Sequence, residues 1–167
     1  MKQLKLTTVI AAFALGASAM ASAATVQVDW QDPTKFRDVR ATNESQEGFR
    51  ERVMKELTEA FESGVSNLPE GQTLHVAVTD VDLAGEVEFF HDNYPFGLRV
   101  MRRVDAPSLS LQYELRDAND AVLKSGQETL RDRNYIRRPS ALPAERSPLK
   151  YEKDMIKTWM RDTLQVQ

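Results

Sequence analysis

Ser108-Leu109-Ser110-Leu111-Gln112-Tyr113-Glu114-Leu115 alternates along its whole length. Apolar or aromatic residues hold every second position, and serine, glutamine and glutamate hold the others. Successive side chains of a strand point to opposite faces, so this segment reads as a strand with one buried and one wet face. Pro107 precedes it, and Asp117-Ala118-Asn119-Asp120 follows as a turn. Ala121 to Leu130 then returns as a paired strand, completing a hairpin. A sheet with one apolar face needs a second layer, and the rest of the chain must supply it.

Upstream, Leu74, Val76 and Val78 alternate with His75, Ala77 and Thr79, which predicts another strand after the turn at Gly71. Thr25 to Trp30, T-V-Q-V-D-W, is a further one. Between them Phe49, Val53, Leu57, Ala60, Phe61 and Val65 recur at spacings of three and four, the pattern of an amphipathic helix. Asn43 and Gln46 form a plausible capping pair at its start, and Ser66-Asn67 with Pro69 ends it. A second helix is expected from about Leu149 to Leu164, with Glu152, Ile156, Trp159, Met160 and Thr163 on one stripe. Leu98, Val100 and Val104 suggest a partly exposed strand among Arg99, Arg102 and Arg103. Asp82 to Tyr94 reads as a loop, and Arg131 to Ser147, rich in arginine and proline, as a long surface excursion. Phe36 and Val39 fall in a connection without assigned structure. The order β-α-β-β-β-β-α predicts a two-layer α+β domain, a mostly antiparallel sheet with two helices packed on one face.

The first residues predict export. Lys2 and Lys5 precede an uncharged apolar run from Leu6 to about Ala17, and Ala21-Ser22-Ala23 closes it. This is the order of a secretory signal peptide. The run is too short to span a bilayer, which needs about 20 residues. Cleavage is expected after Ala23, giving a signal peptide over 1–23 and one domain over 24–167. The remaining 144 residues carry 20 basic and 25 acidic side chains, a formal charge of −5. That balance gives no general argument for nucleic acid or anionic membrane binding. The chain has no cysteine, hence no disulfides and no acylated lipoprotein end. The expected localisation is the periplasm of a Gram-negative bacterium, with full secretion as the alternative and no membrane span after cleavage.

Several motifs together resemble one family. They are V-D-W-x-D-P-x-x-F-x-D-V-R at Val28 to Arg40, L-P-x-G-Q-T-L at Leu68 to Leu74 and T-D-V-D-L-A-G-E at Thr79 to Glu86. R-V-M at Arg99 to Met101, L-x-Y-x-L at Leu111 to Leu115 and Y-E-K-D-M-I-K-T-W at Tyr151 to Trp159 add to them. The chain resembles the bacterial secreted proteins grouped as domain of unknown function 3016. The resemblance implies a cleaved signal peptide and one periplasmic domain, with no assigned activity and no functional residues to carry over. The aromatic-rich loop from Phe89 to Phe96 departs from that pattern.

Three groups of residues carry candidate chemistry. Asp80 and Asp82, two apart on a strand, present their carboxylates to one face, and Glu86 follows after Gly85. Hard cations such as calcium want six to eight oxygens. Ala84 breaks the alternation that would supply a third ligand, and the spacing is not that of an EF-hand. The competing reading is a strand ending in which Asp80 or Asp82 caps a turn or pairs with an arginine, while Leu83 and Ala84 enter the core. The second group is Arg99, Arg102, Arg103, Arg131, Arg133, Arg137 and Arg138, which suit bidentate contact with carboxylate or phosphate. The third is Phe89, Phe90, Tyr94 and Phe96, residue types that anchor interfaces and stack on sugars.

His75 and His91 are the only histidines. There is no G-x-S-x-G nucleophile motif, no zinc-ligand cluster and no phosphate-binding glycine loop. No catalytic residues and no cofactor are expected. The leading reading is a non-enzymatic binding or adaptor module for an envelope protein or a glycan. It would use Arg99, Arg102, Arg103, Arg131 and Arg133 together with the aromatic loop. The alternative is a calcium-binding protein centred on Asp80, Asp82 and Glu86, and a carboxylate-based hydrolase stands third.

Overall fold

The computed structural model describes residues 23–89, 96–137 and 147–164. The expected signal segment up to residue 22, Phe90, His91, Tyr94 and Arg138 lie outside the described residues. The elements run β1 (Thr25–Trp30), a 3-10 turn at Pro33–Lys35, α1 (Gln46–Val65), β2 (Thr73–Asp82), β3 (Glu86–Glu88), β4 (Leu98–Val100), β5 (Ser108–Arg116), β6 (Val122–Arg131) and α2 (Lys150–Leu164).

Four strands form one sheet in the order β1-β2-β5-β6. β5 and β6 make the expected antiparallel hairpin, and β5 also pairs antiparallel with β2. β1 lies parallel to β2. Parallel neighbours need a crossover of a dozen or more residues, and α1 is that crossover. Two helices thus cover one face of a mostly antiparallel sheet, which is the predicted α+β architecture.

The cross-strand rows explain the core. Leu74, Val76 and Val78 stand opposite Leu115, Tyr113 and Leu111. The register then slips by one residue between Val78 and Asp80. A slip of one exchanges the faces of all that follows. Val81 therefore joins Leu109 in the core, and Asp80 and Asp82 turn to the opposite face, across from Ser110 and the buried Ser108. From above, α1 contributes Val53, Leu57, Ala60, Phe61 and Val65, and α2 contributes Met155, Ile156, Trp159, Met160 and Leu164. Trp159 packs edge-on against Phe61 and Tyr113 and donates its Nε1–H to Glu128 at 3.0 Å.

Several expectations are corrected. The strand at Leu98 to Val100 does not join the main sheet: it pairs with β3, inside the expected loop, as a separate two-stranded ribbon. Both edges of β2 are taken, by β1 and β5, so the next strand has no place beside it. Val104 lies outside that ribbon and is exposed. The N-cap of α1 is Ser45, not Asn43, and its Oγ accepts from Gly48 N at 3.1 Å. Gln46 instead ties the preceding connection, donating to Val39 O and accepting from Ala41 N. That connection puts Phe36 and Val39 in the core. On α2 the buried stripe takes in Met155 and Leu164, while Thr163 is only partly covered. The expected surface excursion begins with an anchor: Tyr135 is buried with Ala84 and Ala106, against Tyr151. No helix among the described residues is long and apolar enough to cross a membrane.

Candidate functional site

The T-D-V-D-L-A-G-E stretch ends β2 and becomes the meeting point of four segments. Residues 37–40 run beside its last strand positions, where Asp38 N donates to Val81 O at 3.2 Å and Asp38 bridges Asp82. This places Arg37 over the wet face. Its backbone N–H donates to Asp80 at 2.9 Å, and its guanidinium stands 3.3 Å from Asp80 and 3.5 Å from Asp82. Burial raises the Asp82 carboxyl above its ordinary range, with Arg37 opposing and Asp80 adding to the shift. Glu86 lies on β3 and pairs with Arg40 at 3.5 Å. Among the described residues no three histidine, cysteine, aspartate or glutamate side chains come together as a metal-ligand set. A polar cleft of about 260 Å³ lies between these groups, lined by Arg37, Asp82, Glu86, Val104, Asp105 and Arg131 among others.

The turn after Asp82 is built inward. Leu83 and Ala84 are buried, and Gly85 takes a φ of +79°. A Cβ on Gly85 would lie 2.6 Å from Val100 O, so glycine is required both by the dihedral and by the close approach of β4. Gly85 N donates to Asp105 O at 3.0 Å. Ala84 N donates to Oε1 of Glu152, from the first turn of α2, at 2.6 Å.

Arg99 fastens β4 onto this turn. It donates to Gly85 O at 3.0 Å, to Arg40 O at 3.3 Å and to Asp38 Oδ2 at 2.5 Å. Its side chain is 16% exposed and spent on these contacts, so it is a partly buried clamp. Asp38 is 3% exposed, and its carboxyl is raised by burial against the opposing pull of Arg99. Glu152 is 1% exposed, and burial pushes its carboxyl up to about 7, against the hydrogen bonds from Ala84 N and its own backbone N–H. Two buried carboxyl groups thus share the neighbourhood of one partly buried guanidinium. Oε2 of Glu152 has no hydrogen-bond partner among the described residues, and Oδ1 of Asp38 has only Arg40 Nε, 3.8 Å away.

The other candidates separate. Arg102 pairs with Glu88 across the β3–β4 ribbon. Arg103 is exposed in the following turn, Arg131 borders the cleft beside Asp82 and Val104, and Arg133 is exposed in the turn that holds Tyr135. Of the six described arginines, Arg99 and Arg102 are engaged within the fold, while Arg103, Arg131, Arg133 and Arg137 are exposed. Phe89 and Phe96, at the two ends of the ribbon's connection, are both exposed, Phe96 by 68%. They have apolar company that the sequence reading did not group with them. Five of the eight exposed large apolar side chains among the described residues lie between positions 89 and 104: Phe89, Phe96, Leu98, Met101 and Val104, the last 76% exposed. Tyr135 braces the same region from below, its hydroxyl donating to Arg102 O at 2.7 Å. His75 faces the polar wet side of the sheet with Gln27, Asp29, Gln112, Glu114 and Gln127, in a shallow groove of about 940 Å³.

The sequence carried a signal for Glu152, a carboxylate on an apolar helical stripe. It carried none for Asp38, whose burial depends on where the connection from β1 to α1 lies. No curated protein matches the chain. The domain over residues 24–162 matches the family described as "Protein of unknown function (DUF3016)", and the chain belongs to that family.

Proposed function

We propose that this chain is an exported, non-enzymatic binding module whose contact surface is the β3–β4 ribbon and the turn after it. One observation carries the reading: Phe89, Phe96, Leu98, Met101 and Val104 are each exposed on the ribbon, at the ends of its connection or in the turn after it, and none belongs to the hydrophobic core. Exposed apolar side chains gathered in one place mark interaction sites, whereas scattered ones are ordinary. Arg102 and Arg103 border them, which suits a partner whose own apolar patch carries carboxylates at its rim. Preorganisation supports the same reading. A two-stranded ribbon is marginal alone, but Arg99, Gly85 and Tyr135 fix this one to the body, so little ordering remains to be lost on binding.

The partner we favour is an envelope protein. Leu98, Met101 and Val104 offer aliphatic area, while a glycan would be served by the two phenylalanines alone. Export rests on the charged, apolar and small-residue segments of positions 1–23, and the family match starts at residue 24. The cation reading draws on Asp80 and Asp82 standing on one face, but Arg37 already lies between them. The hydrolase reading gains nothing from Asp38 and Glu152, which are enclosed.

The test is a photo-crosslinking residue placed at position 96, 104 or, as a control on the sheet's wet face, 127, in cells exporting the chain. A discrete protein adduct is expected from 96 and 104 and none from 127. Equal products at all three, or none at any, would contradict a contact surface at the ribbon. A product removed by a glycan-degrading enzyme would move the partner to the glycan class.

A further inference from the structure

Glu152 joins α2 to the turn from which the β3–β4 ribbon springs. Its Oε1 receives the Ala84 N–H, and the carbonyls of Ala84 and Gly85 accept from Arg99, the residue that clamps β4. We propose that Glu152 is a proton-operated latch: with the proton on, α2, the 83–85 turn and the ribbon stay locked together, and with it off the ribbon loosens from the body. The functional side of this inference rests on the contact-surface reading above; the latch itself does not.

Geometry carries the argument. Glu152 is 1% exposed and Asp38 is 3% exposed, and Glu152 borders a cavity of about 200 Å³ that it shares with Arg40, Arg52 and Arg99. Among the described residues Arg99 is the only guanidinium hydrogen-bonded to Asp38, at 2.5 Å, and none pairs with Glu152. Ionised Glu152 would therefore add a second buried negative charge without a cation of its own, which is strongly unfavourable. The groups around it do not relieve it. Arg40 is turned to Asp38 and Glu86, and Arg52 is bound by Glu44 and Glu56. Lys153, its neighbour on α2, reaches Glu56. Tyr135 and Tyr151 pack on the other side and bring no positive charge. The Ala84 N–H bond favours the ionised form but does not offset its burial, so ionisation is relieved when α2 and the 83–85 turn part and admit water. Burial already holds the Glu152 carboxyl near 7, so the change falls within the ordinary working range of pH.

The experiment is amide hydrogen exchange of the whole chain, read as protection relative to the intrinsic rate at each pH. From pH 5.5 to 8.5, protection at Ala84, Gly85, Val87 and Val100 should fall about tenfold or more, and at every pH it should lie below that of Val76 and Leu111 in the main sheet. In Glu152→Gln, which keeps an acceptor oxygen but cannot ionise, the ribbon's protection should stay within about twofold across that range. An equal fall in both proteins, or no fall in the wild type, would overturn the latch. Should Glu152→Gln fail to fold, the Glu152 carboxyl carbon can be titrated by NMR in the wild type. Its midpoint must coincide with that of the exchange change, and a midpoint elsewhere overturns the proposal. Neither measurement needs a partner, so a failed latch and a failed contact surface give different results.

Discussion

At the scale of single residues, the fold concentrates its unusual chemistry in three side chains, Asp38, Arg99 and Glu152. Glu152 makes stability pH-dependent with a definite sign. Its carboxyl ionises near 4.5 in a free chain and near 7 when buried. Between those values the folded state holds a proton that the unfolded state has released, so stability falls as pH rises through that window and is level above it. The separation corresponds to roughly 3 kcal/mol. Urea midpoints at pH 5 and pH 8 should therefore differ in the wild type beyond what Glu152→Gln shows. Identical differences in the two proteins would mean that Glu152 titrates normally. Asp38 and Asp82, also raised by burial, add to the slope in the same direction.

At the scale of elements, the β3–β4 ribbon is the piece whose existence depends on a side chain. Three residues a side cannot hold a hairpin in water. Arg99 ties it to Asp38, to the turn carbonyls and to the chain at Arg40. Arg99→Met should thus cost about 3 kcal/mol at pH 8, because it leaves buried carboxylates uncompensated. The loss should be smaller at pH 5, where Glu152 carries its proton, and urea unfolding at the two pH values checks both. A loss under about 1 kcal/mol at pH 8 would show that the clamp is only an ordinary surface pair. The ribbon is also where the sequence was hardest to read. Alternation locates β1, β2 and β5, because each turns one face toward the core and the period of two survives, whereas β6, exposed but for Leu130, is legible only as the return of the hairpin. The period of three to four located both helices for the same reason. β3 has only Val87 buried, too short a run for a period to appear. Arg99 looked like a surface arginine because its burial comes from a turn and a connection distant in sequence. The exposure of Leu98, Met101 and Val104 likewise appears only once the ribbon is folded.

At the scale of the whole molecule, the two faces of the sheet have separate fates. One is sealed by α1 and α2 around Trp159 and Phe61. The other is wet and ends in Asp80 and Asp82, with Arg37 between them. The ribbon projects from the end of β2 and carries the apolar surface that the core leaves out. On this view the D-V-D-L-A-G-E stretch is a structural hub, its carboxylates satisfied from within, and recognition belongs to the ribbon. The first measurement is the thermal melt of residues 24–167 in chelator and then in millimolar calcium, magnesium or zinc, beside Asp80→Asn/Asp82→Asn. A ligand that binds only the folded state must stabilise it, by about 2.7 kcal/mol at a hundred times its dissociation constant. We expect the wild-type midpoint to be the same in chelator and in each ion. A rise with one ion that disappears in the double variant would contradict the hub and make Asp80 and Asp82 a cation site.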